Sequence, residues 1–186
     1  MIRRFFLLSL AIVGFGVSLA GCGYSIRSLA YSKNATIYVK PFENKVDLNI
    51  ANEYSDKNPY RLYRPGMETK ITNEVINRFL LDGYLKVVSD PSKADLVLSG
   101  GLTNYEKQPL RYNEATRDIE EYRANIIVDI CLEDRKQDKP VYRETGFVGY
   151  SEFALIGPRT KSEDAAIDDA VEDLARRIVE RTVEDW

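Results

Sequence analysis

The sequence predicts an α+β fold: a two-layer sandwich in which two amphipathic helices pack on one face of a mixed, largely antiparallel sheet of about four to five strands. Three observations predict it. Two segments, 67–83 and the stretch from Ser162 onward, carry apolar side chains at helical spacing along one stripe only. Several other segments alternate apolar and polar residues, as strands with one buried face do. The clearest of them, 119–134, is joined to 141–153 by the polar turn "RKQDKP", so the two close locally as an antiparallel hairpin. Elements with one apolar face each are satisfied together when both helices cover the same side of one sheet.

The chain opens on Met1-Ile2-Arg3-Arg4 and continues with sixteen mostly apolar, uncharged residues, Phe5 to Ala20. A basic start followed by an apolar run reads as a secretory signal. A membrane-spanning helix is the weaker reading, because crossing takes about 20 apolar residues and Gly14, Gly16 and Ser18 interrupt the run. The run ends in Leu19-Ala20-Gly21-Cys22, which resembles the lipobox of bacterial lipoproteins. That resemblance implies removal of residues 1–21, acylation of Cys22 as the new N-terminus, and a lipidated tether over 22–35. Each buried methylene adds about 0.8 kcal/mol, so several acyl chains would anchor the protein stably. The competing reading is an ordinary signal with an incidental cysteine. Gly23, in place of an aspartate, favours onward export to the outer membrane in the lipoprotein pattern.

Removing residues 1–21 leaves 165 of 186 residues, enough for one domain with a substantial core, here 36–186. It also removes Arg3 and Arg4, so 24 cations face 29 anions and the net charge falls to −5. That balance argues against nucleic acid as a partner. Cys131, the only other cysteine, has no partner within the chain once Cys22 is acylated, which excludes a disulfide framework. The chain contains no histidine, so Ser-His-Asp and Cys-His machinery and His-ligated zinc are excluded. No glycine-rich phosphate loop is present either. The chain is expected not to be an enzyme, and no cofactor or metal is expected.

Taken in order, Ile37 and Val39 alternate with Tyr38 and Lys40 in a first strand that Pro41 ends or turns outward. Residues 47–64, polar and broken by Asn, Asp and Pro, read as a long loop. Met67, Ile71, Val75 and Phe79 form the stripe of the first helix, with Ile76 and Leu80 widening it, and Gly83 stands where a left-handed turn would stop it. A short strand "LKVV" follows. Leu96, Leu98 and Leu102 share a parity in the next strand, where the pair Gly100-Gly101 marks a bulge or a close contact. Tyr122, Ala124, Ile126, Val128, Ile130 and Leu132 then line one face of a strand, and Cys131, between them, is a buried or half-buried thiol. The last helix begins at Ser162 as N-cap, with acids early, arginines late, and a stripe of Ile167, Ala170, Val171, Leu174 and Ile178.

The pieces "GCGYSIRS", "IYVKPFEN", "PGMETKITNEVINRFLLDGYLKVV", "ADLVLSGGLTNYEKQPLRYN" and "EYRANIIVDICLEDR", in this order and spacing, resemble the lipopolysaccharide-assembly lipoprotein family, LptE. The link 47–64 is longer than the family's usual one. The resemblance implies a non-catalytic lipoprotein, anchored on the periplasmic side of the outer membrane, that plugs and helps assemble the β-barrel LptD and binds lipopolysaccharide during its delivery to the surface. Two other envelope roles remain open on the residues alone: activating a peptidoglycan synthase, or building a secretion pore.

Lipopolysaccharide is an anionic amphiphile, so a site for it combines Arg or Lys with exposed apolar surface. Three loops hold such residues: the tip 106–118 with Lys107, Arg111, Tyr112 and Arg117; "IGPRTK" with Arg159 and Lys161; and "DRKQDK" with Arg135, Lys136 and Lys139. The family resemblance links the first two loops to lipopolysaccharide contact, with Arg111 the matching position on the first and Arg159 or Lys161 on the second. The bland reading of all three is a solvated surface charge. The chain has twelve tyrosines. Of these, Tyr54, Tyr60 and Tyr63 are candidates for packing on a barrel wall, against the plainer reading of a mobile surface loop.

Overall fold

The computed structural model describes residues 35–46 and 64–183. The signal segment, Cys22, the tether up to residue 34, and Tyr54, Tyr60 and Tyr63 of the long loop lie outside the described residues. Along the chain run β1 (Thr36–Val39), β2 (Glu43–Asn44), α1 (Met67–Asp82), β3 (Lys86–Val87), one 3-10 turn (Pro91–Lys93), β4 (Leu96–Tyr112), β5 (Ile119–Asp134), β6 (Lys139–Ala154) and α2 (Glu163–Val183). They form one open sheet ordered β3-β1-β4-β5-β6, with β2 also paired to β4. β1 runs parallel to β3 and β4, and β2 parallel to β4; β4/β5 and β5/β6 are antiparallel hairpins. Both helices lie on one face, as expected. The sheet has six strands because the chain resumes pairing at Glu43 after Pro41.

The ladders define two ends. The proximal end holds the starts of β1, β3 and β4 and the β5–β6 turn; the distal end holds the β4–β5 turn and the end of β6.

The core follows from the predicted stripes. Met67, Ile71, Val75 and Phe79 of α1 are buried, as are Ile167, Ala170, Val171, Leu174 and Ile178 of α2. They face Leu96, Leu98, Leu102, Ile126, Val128, Ile130 and Leu132 on the sheet. Each Val, Leu, Ile, Phe or Met among them contributes about 1.5–3 kcal/mol by leaving water. Leu80 departs from expectation: it is 61% exposed, one position round from Phe79 and off the stripe. Gly83, at φ 68, closes α1 by donating to the Phe79 carbonyl at 3.1 Å. The Ser162 hydroxyl caps α2, accepting from Ala165 N–H at 3.2 Å.

Two glycines are required by contact. A Cβ at Gly100 would stand 2.3 Å from the Phe42 ring, and one at Gly149 would stand 2.6 Å from the backbone of Leu174, so α2 could not settle on β6. The register then slips between Leu102 and Asn104. This bulge inverts the parity of β4, which places Tyr105 and Lys107 on the helix side, where the Leu96-Leu98-Leu102 alternation extrapolates to Asn104 and Glu106. β4 continues to Tyr112, so the predicted tip 106–118 shrinks to a turn at 113–118. Lys107 therefore stands on a strand under α2 and not on a loop.

Candidate functional site

The β4–β5 turn is held by its own first residue. The Asn113 side-chain oxygen accepts from the N–H of Ala115 at 2.9 Å and of Thr116 at 3.0 Å, and its amide donates to Glu120 at 2.8 Å. Arg117 closes the turn in the left-handed region at φ 65, where glycine would be unstrained. The segment after β6 is tied alongside: Leu155 N–H donates to the Glu120 carbonyl at 2.9 Å, and Ala154 bridges Thr160. With Arg111 opposite Glu121 and Glu121 opposite Ala154, two loops far apart in sequence share one end of the sheet.

The five predicted cations divide there. Arg111 is 51% exposed, its Nε 3.5 and 3.6 Å from the Glu120 and Glu121 carboxylates. Arg117 and Arg159 are exposed and make no ion pair among the described residues. Leu110, Tyr112, Leu155 and Ile156 expose apolar surface at the same end. Lys107 and Lys161, by contrast, are engaged with α2. Lys161 meets Ser151 Oγ at 2.9 Å and the Asp169 carboxylate at 2.5 Å. Lys107 meets Glu163 at 2.9 Å and lies 4.9 Å above the Tyr122 ring, which stacks on Phe153.

Glu163 is the hub of a clasp. Its carboxylate also accepts from the Tyr105 hydroxyl at 3.0 Å and from Arg64 at 3.0 Å, and Arg64 reaches Asp164 as well. Burial pushes the Glu163 carboxyl up, but Lys107, Tyr105 and Arg64 outweigh it and hold the group below the ordinary carboxylate range. Burial and the Glu163 charge push the Tyr105 phenol up. The clasp is not legible in the sequence because the glycine pair, whose Gly100 meets the Phe42 ring, does not place the slip after Leu102 that turns Tyr105 and Lys107 inward. The apolar pair Leu155-Ile156 was missed too, although its place just before Gly157-Pro158 marks an exposed turn.

The third basic loop lies at the opposite, proximal end, where two of its three cations are engaged locally and Lys139 is exposed. Lys136 pairs with Asp95 at 2.8 Å, and Arg135 donates to the Pro91 carbonyl. The Asp95 carboxylate also accepts from Thr36 N–H at 2.9 Å and Thr36 Oγ1 at 2.8 Å; Lys136 foremost, with Thr36, holds it well below its usual pKa.

Among solved structures, a hypothetical protein from Chlamydia trachomatis aligns over 80% of this chain and 95% of its own, at 13% identity and a TM-score of 0.50. The rare lipoprotein B of Shewanella oneidensis aligns over 78% and 92%, at 15% identity and a TM-score of 0.44. The PelC dodecamer of Paraburkholderia phytofirmans aligns over 84% and 93%, at 14% identity and a TM-score of 0.44. At such identities the first similarity speaks for the fold alone, and the other two carry no further argument. No curated protein matches the chain significantly. The sequence model of the lipopolysaccharide-assembly family, LptE, does match, over residues 35–182, nearly all of the described domain. The chain therefore belongs to the LptE family, and with it to the non-enzymatic lipoproteins of lipopolysaccharide assembly at the outer membrane.

Proposed function

We propose that this protein plugs and helps assemble an LptD β-barrel from the periplasmic side, anchored through acylated Cys22, and that its distal end contacts lipopolysaccharide. One observation carries the lipopolysaccharide reading: Arg111, Arg117 and Arg159 stand free or loosely paired beside exposed Leu110, Tyr112, Leu155 and Ile156. Guanidinium forks suit the phosphates of lipid A, and the apolar side chains suit the roots of its acyl chains. Arg111 is a ready partner because exposed ion pairs at such distances contribute little, so a phosphate displaces Glu120 and Glu121 at small cost. Lys107 and Lys161 serve the same site indirectly, by fixing the start of α2 and hence the loop that bears Arg159. Tyr54, Tyr60 and Tyr63 are proposed to meet the barrel wall.

Pull-down of the tagged chain from outer membranes in mild detergent is expected to bring a large β-barrel at equal stoichiometry; a peptidoglycan synthase, or only further copies of the chain, would overturn the plug reading. Arg111→Asp is expected to weaken lipopolysaccharide binding severalfold with the circular-dichroism melt unchanged. Unaltered binding would remove Arg111 from the site.

A further inference from the structure

We infer that α2 closes the free edge of β6 against strand addition, and that the strand it excludes is β6 of a second copy of this chain. The two edges of the sheet differ in exposure. β3 at one edge has two residues, whereas β6 at the other has sixteen and pairs only with β5 among the described residues. An edge of that length presents a row of unpaired N–H and C=O groups, a template for another strand. Two copies meeting edge to edge, β6 antiparallel to β6, would satisfy the row on both sides through a twofold axis.

Side chains from α2 occupy the middle of that row. The Asp173 carboxylate accepts from Tyr150 N–H at 3.1 Å, and the Arg177 guanidinium donates to the Val148 carbonyl at 3.1 Å. These are the groups a new strand would take. The two side chains hold each other at 3.2 Å, and Arg177 lies 5.1 Å from the Tyr150 ring, so the pair is fixed across the edge. Gly149 between them lets Leu174 approach closely enough to bring the helix there.

The rest of β6 is spoiled for pairing by other means. Near its start Pro140 offers no N–H, and the register slips opposite Leu132/Glu133. A second slip, opposite Val128/Ile130, contains Gly146 at φ 68, whose N–H donates to Asp129 at 3.0 Å. At the far end Ala154 is already bridged by Thr160. The longest regular stretch of β6 runs from Phe147 to Ala154, and α2 covers its first half at Val148 and Tyr150. The inference does not depend on the lipopolysaccharide reading.

The test uses the purified full chain in detergent. In Asp173→Ala/Arg177→Ala, the Tyr150 amide is expected to exchange with solvent about tenfold faster or more, and sedimentation velocity is expected to show concentration-dependent self-association. Asp173→Asn/Arg177→Lys, which keeps an acceptor and a donor in place, is expected to stay monomeric with slow exchange. A double-alanine variant as monomeric as the parent, with unchanged Tyr150 exchange, overturns the proposal. If that variant fails to fold, Asp173→Ala alone leaves Arg177 on Val148 and is read the same way, with the same outcome deciding.

Discussion

The two ends of the sheet carry the same kind of residue in opposite states. At the proximal end Arg135 and Lys136 are spent on the Pro91 carbonyl and the Asp95 carboxylate, tying the β5–β6 turn to the loop that precedes β4. At the distal end Arg117 and Arg159 are exposed with no ion pair among the described residues, and Arg111 is only loosely paired. Charge counting does not separate these loops, because each holds two or more cations. What separates them is whether the fold supplies a carboxylate or carbonyl at hydrogen-bond distance. Lys107 and Lys161 sit between the two cases: they are sequence candidates for ligand contact to which the fold gives Glu163 and Asp169 as partners.

The comparison breaks most severely at the clasp. Glu163→Ala leaves the Tyr105 hydroxyl and the Lys107 ammonium without their acceptor in a largely buried place, and is expected to cost about 1–3 kcal/mol in urea unfolding. The sign of its pH dependence follows. Glu163 titrates below its ordinary value of 4.5 in the fold, so its stabilisation is complete above that pH and is lost as the pH falls through the folded value. The unfolding midpoint should therefore drop below about pH 4.5 in the parent, and less steeply in Glu163→Ala; equal slopes would show that the clasp contributes nothing.

The double reversal Arg111→Asp/Arg159→Asp sharpens the contrast from the ligand side. Lipopolysaccharide affinity is expected to fall about tenfold, close to 1.4 kcal/mol, with the melt little changed. Arg117→Gly tests the tip more finely. Relief of the left-handed strain is worth about 1–2 kcal/mol, partly offset by glycine's freedom in the unfolded chain. Stability is thus expected to hold or rise slightly while affinity falls; a loss of stability would assign Arg117 a structural role. Lys136→Ala, at the other end, is expected to leave lipopolysaccharide binding untouched and to shift the melt least of all, since its partner is reached across exposed surface.

Much of this was legible in the sequence. The stripes of α1 and α2, the cap at Ser162 and the inward face of β5 are set by spacing within one element, and the structure buries those residues as expected. Gly83 ends α1 because a left-handed terminus selects glycine locally. The absence of histidine and the order of segments agree with the non-enzymatic family to which the chain belongs. Only the tertiary structure decided the rest. Leu80 belongs to a helical stripe by spacing, but its exposure depends on how α1 is rotated against the sheet. The bulge after Leu102 inverts the parity of β4, so Tyr105 and Lys107 turn toward α2 by a register that no local pattern encodes. Which cations stay free is likewise a property of pairing across the fold: Asp95 and Glu163 capture some, and the joining of the β4–β5 turn to the segment after β6 brings the exposed Arg111, Arg117 and Arg159 to one end. A sequence determines what each residue can do within its own turn or strand, whereas partners fifty residues away are chosen by packing.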